Sequence, residues 1–291
     1  MKLSNLSGKT AIVTGGTSGL GFWTARGLAG MGASVIIASH NPKNGDVAIK
    51  KIKEAVPGAK VSFETLDLAD KKSIEKFAGT IKKLDILVCN AGIMMPTERV
   101  MTNYGVESQF GVNYLGHFML TALLLPLLKK SKGRVVTVSS MANNPVKFDL
   151  HDATGENKYR PFRLYALSKL STLCLALELD KRSRQNNWGI TAIPVHPGVV
   201  RTKLFSRSLH PFVIFSLLGT KIPIMSMSSR WASKILLFAA TSDKAKSGTF
   251  YGPMLWMIGG PRKTKPPKQA LDTKKRQELW RFSENTTKIY L

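Results

Sequence analysis

The chain has 291 residues, of which 43% are hydrophobic and 21% are charged. These proportions exclude a disordered or collagen-like chain and are typical of a globular protein that buries a sizeable core. The 43 Lys and Arg residues outnumber the 18 Asp and Glu residues, and the resulting formal charge of +25 favours an anionic partner: a nucleic acid, a membrane surface or an anionic ligand.

Predicted strands and helices alternate along the chain. Short continuous runs of β-branched and aliphatic residues predict buried strands, and apolar residues at helical spacing predict helices. The predicted strands are Thr10–Thr14, Ser34–Ala38, Val61–Thr65, Asp85–Cys89, Arg134–Val138, Ile190–Val195 and about Thr249–Tyr251. The predicted helices are Leu20–Gly30, Asp46–Ala55, Lys71–Lys83, about Asn103–Lys130, Tyr165–Arg184 and about Arg230–Ala240.

This alternation shows no linker and no internal repeat, so it predicts one α/β domain over residues 1–291. Strands joined by crossover helices run parallel, in a sheet covered on both faces. We therefore expect a doubly wound Rossmann fold with about seven strands and a ligand at their carboxyl ends. No targeting segment is expected, because Met1–Lys9 is short and polar and the apolar stretch Phe118–Leu128 is too short to span a bilayer.

The first predicted strand runs directly into the sequence TGGTSGLG at residues 14–21. Glycine allows a tight turn and a close approach of backbone to phosphate, and a helix N-terminus offers unpaired N–H groups. The order strand, turn, helix favours a dinucleotide-binding loop over an ordinary Gly-rich turn. The spacing TGxxxGxG differs from the common GxGxxG pattern.

Tyr165 and Lys169 lie four residues apart and therefore share one face of a predicted helix. An ammonium group near a phenol lowers the phenol pKa, so Tyr165 could act as a general acid–base on a carbonyl or alcohol oxygen. Ser139 and Ser140 follow the fifth strand, where a hydroxyl would lie at the ligand-bearing edge of the sheet. Each pattern taken alone is also compatible with a purely structural role.

Together these motifs resemble the short-chain dehydrogenase/reductase family over roughly residues 8–260. The likeness is to its retinol dehydrogenase-like and protochlorophyllide reductase-like branch, which shares a long insertion between the catalytic Ser and Tyr. Here Ser140 and Tyr165 are 25 positions apart, and the insertion would span about Asn143–Pro161. The resemblance implies a catalytic set of Asn113, Ser140, Tyr165 and Lys169.

The implied reaction is reversible hydride transfer between a nicotinamide and a carbonyl or alcohol carbon. Tyr165 would exchange a proton with the substrate oxygen, and Ser140 would hydrogen-bond that oxygen. Lys169 would lower the Tyr165 pKa and hold the nicotinamide ribose. Asn113 would bind a water that relays protons from solvent to Lys169.

Cofactor preference depends on the end of the second strand. Folds that prefer NAD usually carry an acid there for the ribose 2′-OH, whereas this chain reads Ala38-Ser-His-Asn41. Ser39, His40, Asn41 and Lys43 could instead bind a 2′-phosphate, so we predict NADP(H) as the preferred cofactor, with NAD(H) left open. The candidate cofactor contacts are Gly15, Thr17, Ser18, Gly19, Leu20, Gly21, His40, Asn41, Asp67, Leu68, Asn90, Ala91, Gly92, Tyr165, Lys169, Pro197, Gly198, Val200 and Thr202.

The last third of the chain is both apolar and basic. Lys203–Ser229 is largely apolar and occupies the family's substrate-lid position, which favours a lipophilic substrate such as a retinoid, a sterol or a fatty aldehyde; packing on the core or on a dimer partner is the alternative. Residues 201–291 carry 17 basic and 4 acidic residues, a net charge of +13. The basic C-terminal extension, residues 260–291, either is solvated or docks on an anionic membrane.

No metal is expected, because the five histidines lack zinc-ligand spacing and the two cysteines are far apart. His117 and His196 lie inside family motifs and are expected to be structural. The leading hypothesis is a cytoplasmic NADP-dependent oxidoreductase, with peripheral membrane association and a homo-oligomer left open. The alternatives are a cofactor-binding regulator with little or no turnover and a nucleic-acid-binding protein, for which no recognised motif is present.

Overall fold

The computed structural model describes residues 5–143, 146, 148–156, 158–201, 227–255 and 257–291. Its main sheet has eight strands, and β7 and β8 form a separate two-stranded sheet. The strands are β1 Thr10–Thr14, β2 Ser34–Ser39, β3 Val61–Thr65, β4 Ile86–Cys89, β5 Arg134–Val138, β6 Thr191–Val195, β7 Val200–Arg201, β8 Met227–Ser228, β9 Tyr251–Pro253 and β10 Pro261–Lys263.

The main sheet has the order β10-β9-β6-β5-β4-β1-β2-β3. Seven of its strands run parallel, and β10 pairs antiparallel with β9 at the edge. The chain first builds outward from β1 to β3 and then crosses back to β4, so the strand order reverses between β1 and β4. A crevice at such a reversal is the usual ligand site of an open parallel sheet. The predicted doubly wound Rossmann fold is confirmed, with one antiparallel edge strand added to the seven expected.

Helices cover both faces of the sheet. The first helix after β4 changes its hydrogen-bonding pattern, with a π-helical turn at Gly111–Leu115 between two α-helical parts. The helices are α1 Gly19–Gly30, α2 Pro42–Ala55, α3 Lys71–Thr80, α4 Ser108–Ser131, α5 Pro161–Gln185, α6 Ser229–Thr241, α7 Lys268–Leu271 and α8 Thr273–Thr287.

The apolar strands bury side chains in two cores, one on each face of the sheet. Side chains alternate between the faces of a strand, so Ile12 lies in one core while Ala11 and Val13 lie in the other. The first core is shared with α3, α4, α5 and α8, and the second with α1, α2 and α6. Burial on both faces explains why these strands read as continuous rather than alternating apolar runs.

Helix α4 is longer than the apolar stretch that the sequence singled out. It has 24 residues and by length and composition could cross a membrane, but 78% of its most apolar window is buried inside the protein. It continues past Pro126 and ends at Ser131, and the following Lys132 adopts the left-handed conformation. Helix α4 therefore packs as a core helix in this structure.

The C-terminal region contributes to the core through α8, an element that the sequence did not predict. Trp280 is only 2% exposed, and its ring lies 5.0 Å from that of Phe118 on α4 in an edge-to-face contact. Arg276 on α8 forms an ion pair with the buried Glu178 of α5, with 3.5 Å between Nε and Oε2. Arg276 belongs to the basic extension 260–291, but its side chain is only 11% exposed and therefore adds little to an exposed basic surface.

Candidate active site

The Gly-rich loop packs too tightly for any larger residue at two positions. Gly15 has a φ of 65°, and a Cβ there would lie 2.9 Å from the Ala91 Cα. A Cβ on Gly21 would overlap the Gly15 carbonyl oxygen and the Asn90 side chain. The loop after β1 thus rests directly on the loop after β4, at the crevice where the strand order reverses.

The N-terminus of α1 is open to an anion. Ser18 precedes the helix in an extended conformation, and its side chain makes no capping hydrogen bond. The first turn contains no acidic residue that would repel a negative charge. Backbone N–H groups at such an end bind phosphate well, and the glycines leave room for it. Thr17, Gly19 and the buried Leu20 complete a loop whose shape and polarity fit the pyrophosphate of a dinucleotide.

Thr14 joins the two loops through a compact set of hydrogen bonds. Its hydroxyl oxygen accepts hydrogen bonds from the backbone N–H groups of Asn90 and Ala91, each at 2.9 Å. The Asn90 side chain donates in return to the Thr14 carbonyl oxygen at 2.8 Å. The sequence analysis selected Asn90 and Ala91 as contacts but not Thr14, although Thr14 is the first residue of the TGGTSGLG motif and the last residue of β1.

Asn113 lies in the π-helical turn, with its side chain fully engaged. Its Oδ1 accepts a hydrogen bond from Ile93 N–H at 2.8 Å, and its Nδ2 donates to Ile93 O at 3.0 Å and to Ser168 Oγ at 2.9 Å. Its backbone carbonyl oxygen contacts His117 Nδ1 at 2.9 Å and accepts from Thr172 Oγ1 at 3.2 Å. These contacts fix helix α4 against α5 and against the loop after β4.

Ser140, Tyr165 and Lys169 meet at the carboxyl end of β5. The Tyr165 hydroxyl hydrogen-bonds with the Ser140 side chain, which lowers the Tyr165 pKa, but burial outweighs this effect and raises the pKa to about 12. Lys169 Nζ donates to the Val138 carbonyl oxygen at 3.0 Å and lies 5.9 Å from the centre of the Tyr165 ring. The pKa shift therefore differs from the sequence expectation: Ser140, not Lys169, is the group that lowers the Tyr165 pKa here.

Burial also lowers the pKa of Lys169, to about 8. Its ammonium group is held close to Gly92, since a Cβ on that glycine would lie 3.4 Å from Nζ and 3.0 Å from Asn113 Oδ1. Gly92 thus occupies the narrow space between two members of the candidate set. Among the four candidates, Asn113, Tyr165 and Lys169 are buried and Ser140 is partly exposed.

The neighbouring Ser139 has a different environment from Ser140. Its hydroxyl donates to the Lys169 carbonyl oxygen at 2.6 Å and accepts from Asn143 Nδ2 at 2.9 Å. These bonds attach the end of β5 to helix α5 and leave Ser140 to face Tyr165. Met94 and Met95 pack against Tyr165 in a small apolar cluster, so the loop after β4 also borders this site.

The residues expected around the adenosine half lie at the ends of β2 and β3. Asn41 precedes α2 and accepts a hydrogen bond from Asn44 N–H at 3.1 Å, so its side chain caps the helix. His40 is exposed beside it. Asp67 is exposed and accepts from Ala69 N–H at 2.8 Å, while the buried Leu68 accepts from the Tyr104 hydroxyl at 3.1 Å.

Of the residues expected beside a nicotinamide, Pro197, Gly198 and Val200 are among the described residues. Gly198 has a φ of 74°, and a Cβ there would overlap the Met257 carbonyl oxygen. It follows Pro197, and the buried Val200 pairs with Met227 between β7 and β8. Thr202 and residues 203–226 of the expected lid lie outside the described residues.

The two histidines expected to be structural are buried in the described structure. Burial lowers the pKa of His117 to about 4 and that of His196 to about 4, so both rings are neutral at physiological pH. Cys89 and Cys174 are buried free thiols. Within the described ranges, no three His, Cys, Asp or Glu side chains are grouped as metal ligands.

Comparison with known proteins decides the family. The profile of the short chain dehydrogenase family matches residues 9–210, which is more than half of the chain. The chain belongs to this family. Its members are oxidoreductases that bind nicotinamide cofactors, in agreement with the loop and crevice described above.

Similar proteins cover almost the whole chain. Retinol dehydrogenase 12 from Mus musculus is 36% identical over 286 residues, which are 96% of this chain and 86% of that protein. Polyprenol dehydrogenase from Homo sapiens is 35% identical over 300 residues, covering 97% of this chain and 86% of its own. An uncharacterized protein from Mycobacterium Paratuberculosis has a similar solved structure, with a TM-score of 0.83, 32% identity and coverage of 100% and 98% of the two chains.

Proposed function

We propose that this short chain dehydrogenase family member is an NADP(H)-dependent oxidoreductase that interconverts an alcohol and a carbonyl on a lipophilic substrate. The observation that carries the proposal is similarity over nearly the full chain to enzymes named for retinol and for polyprenol, two lipophilic alcohols. The cluster of Ser140 with the buried Tyr165 and Lys169, at the carboxyl edge of the sheet, supplies groups suited to that chemistry.

In the proposed mechanism, the bound nicotinamide cofactor supplies or accepts the hydride. The Gly-rich loop and the N-terminus of α1 bind the pyrophosphate. Lys169 holds the ribose through its ammonium group, which is largely protonated at neutral pH because its pKa is about 8. Asn113 keeps α4 and α5 in register beside Lys169 through its bonds to Ile93 and Ser168.

Tyr165 exchanges the proton. A pKa of about 12 keeps its hydroxyl protonated at neutral pH, as a proton donor to a developing alkoxide must be. The single hydroxyl proton of Ser140 turns from the Tyr165 oxygen to the substrate oxygen as negative charge builds there. The Tyr165→Phe variant tests this role: we expect at least a ~100-fold loss of kcat with the cofactor Kd kept within about twofold. Wild-type turnover in this variant would refute the assignment.

A substrate screen tests the proposed substrate class. NADPH consumption is measured with retinal, a polyprenal, a fatty aldehyde and a sterol ketone, beside small polar aldehydes as controls. We expect kcat/KM to be highest among the lipophilic compounds. Turnover of small polar aldehydes alone would contradict the lipophilic substrate, and turnover of none would favour the cofactor-binding regulator.

Preference for NADP(H) is proposed from the end of β2, where His40, Asn41 and Lys43 offer no acid to a ribose 2′-OH. Asn41→Asp provides a sharp test, because Asp caps a helix as well as Asn does but adds a negative charge beside the 2′-phosphate. We expect kcat/KM for NADPH to fall about tenfold, with that for NADH and the melting temperature unchanged. Equal use of NADH and NADPH by the wild type would refute the preference.

We further propose that the exposed cations of the C-terminal region contact an anionic membrane, from which a lipophilic substrate could enter. Arg262, Lys263, Lys265 and Lys268 are all exposed near the edge strand β10, in support of this surface. Co-sedimentation with vesicles containing phosphatidylserine tests it, with neutral vesicles as the control. Binding to anionic vesicles that weakens with salt is expected, and no binding at low salt would refute it.

A further inference from the structure

A line of buried hydrogen bonds joins helix α4 to the loops after β1 and β4, called the cofactor loops below. His117 is fully buried on α4, four residues after Asn113. Its Nε2 lies 2.8 Å from the Thr14 hydroxyl, and its Nδ1 lies 2.9 Å from the Asn113 carbonyl oxygen. Thr14 in turn holds the backbone of Asn90 and Ala91, so one imidazole ring connects the loop after β4 with the π-helical turn.

The hydrogen-bond partners fix the tautomer of His117. A carbonyl oxygen only accepts, so Nδ1 carries the proton and donates it to Asn113 O. Burial lowers the His117 pKa to about 4, so the ring is neutral at physiological pH and Nε2 is an acceptor. The Thr14 hydroxyl therefore donates to Nε2 at 2.8 Å in preference to Val88 O, which lies 3.3 Å away. Every polar atom of the ring then has a partner.

We propose that His117 is a positioning residue that holds the cofactor loops and Asn113 in register. The proposal rests on the proposed oxidoreductase function, since it assigns the ring a part in both cofactor binding and turnover. Each ring nitrogen contacts a different part of the structure. Nε2 orders the cofactor loops through Thr14, and Nδ1 orders the π-helical turn through the Asn113 carbonyl oxygen. If the ring only filled space, the loss of one of its two hydrogen bonds would not affect cofactor binding and turnover differently.

Three substitutions separate the two contacts. The side-chain amide of Asn replaces the Nδ1 position and that of Gln replaces the Nε2 position, so each variant keeps one bond of the original ring. His117→Asn keeps the bond to Asn113 O and loses the bond to Thr14. His117→Gln keeps an acceptor for Thr14 and loses the bond to Asn113 O. His117→Phe keeps the ring volume and loses both bonds.

The test measures the cofactor Kd by titration calorimetry and kcat at saturating cofactor. For His117→Asn we expect the Kd to rise about tenfold with a smaller loss in kcat, which is the size expected for one lost buried hydrogen bond. For His117→Gln we expect kcat to fall about tenfold with a smaller change in Kd. His117→Phe should show both effects. Equal losses in Kd and kcat for Asn and Gln, or wild-type values for Phe, would overturn the proposal.

Variants of Thr14 provide a second test of the proposal, which does not require the histidine variants to fold. Thr14→Ser keeps the hydroxyl and should retain the wild-type Kd, whereas Thr14→Val keeps the shape, loses the hydroxyl and should raise the Kd about tenfold or more. The Kd needs no turnover, so it still tests the Thr14 hydroxyl, which joins His117 to the backbone of Asn90 and Ala91, if no substrate is found and the proposed reaction fails. Equal Kd values for the Ser and Val variants would overturn that contact as a determinant of binding.

Discussion

The hydroxyl of Tyr165 and the side chain of Ser140 share a hydrogen bond at the carboxyl end of β5. This bond lowers the Tyr165 pKa, while burial raises it to about 12. The balance between a polar partner and a dry environment thus decides at which pH Tyr165 can release its proton. Ser140 provides the hydrogen bond that lowers the Tyr165 pKa, and it does not alter the burial of the tyrosine.

Removing the Ser140 hydroxyl should therefore change the pH profile of the enzyme. In Ser140→Ala the Tyr165 pKa rises further, so alcohol oxidation, which needs Tyr165 to accept a proton, reaches its plateau at higher pH. We expect kcat/KM at pH 8 to fall by about 100-fold. The conservative variant Ser140→Thr keeps a hydroxyl and should keep most of the activity. A pH profile of Ser140→Ala that overlies the wild type would rule out this role.

The close packing of the Gly-rich loop makes a second prediction. Gly21→Ala places a methyl group against Gly15 O and Asn90 Nδ2, so the loop must shift and cofactor binding should weaken by about tenfold or more. Gly30→Ala is the matched control, because it lies on the same helix and its nearest neighbour would be Val56 at 4.0 Å. The Kd of each variant for NADPH is measured directly. Similar Kd values for the two variants would contradict a tight cofactor loop.

Two buried histidines predict a loss of stability in acid. His117 and His196 have folded-state pKa values of about 4, below the value of about 6.5 expected in the unfolded chain. Between these two values the unfolded chain binds protons that the folded protein does not, so the free energy of unfolding falls as the pH drops from about 6.5 to about 4. Each histidine contributes a slope of up to about 1.4 kcal/mol per pH unit.

Urea unfolding at pH 7, 6 and 5 checks that slope. His196→Gln should reduce the dependence on pH, and His117→Gln should reduce it in the same sense. His151→Gln is the control, since His151 is exposed and should leave the slope unchanged. An unfolding free energy that stays constant between pH 7 and pH 5 would contradict neutral burial of both rings.

The ion pair between α8 and α5 predicts that Arg276 contributes more to the free energy of unfolding than Lys274, which lies two positions earlier in the sequence. Arg276→Ala removes one of the two arginines that contact the buried Glu178 carboxylate, and we expect a loss of about 2 kcal/mol in the free energy of unfolding. Lys274→Ala removes the same formal charge from an exposed position and should cost less than about 0.5 kcal/mol. Chemical unfolding of both variants at one pH checks the difference. Equal losses would mean that the pair contributes nothing beyond net charge.

The sequence predicted the sheet well because each parallel strand is buried on both faces and reads as an uninterrupted apolar run. β1, β3 and β5 begin and end where expected. Helix α8 escaped prediction because its basic residues obscure a narrow buried stripe, in which the apolar Leu279 and Trp280 lie beside the polar Ser283 and pack towards α4 and α5. Such a stripe becomes visible only when its partners are known.

The candidate site was likewise predictable from the sequence only in part. The pair Tyr165 and Lys169 was predictable, because four residues along one helix place both side chains on one face. The pKa of Tyr165 was not predictable, since burial depends on residues such as Met94 and Met95 that reach it from another loop. The contact between Thr14 and His117 joins positions 103 residues apart, and neither residue type alone indicates it.

Helix α8 has a consequence for how the protein is made. Trp280 follows Lys169 by more than a hundred positions, so synthesis places every proposed catalytic residue before the helix that packs behind α4 and α5. A nascent chain therefore contains all of the proposed catalytic residues before it contains α8, the helix that packs against α4 and α5. Chaperones would meet the Phe118 face of α4 while it is still uncovered, and premature termination upstream of Trp280 would leave that face open to aggregation.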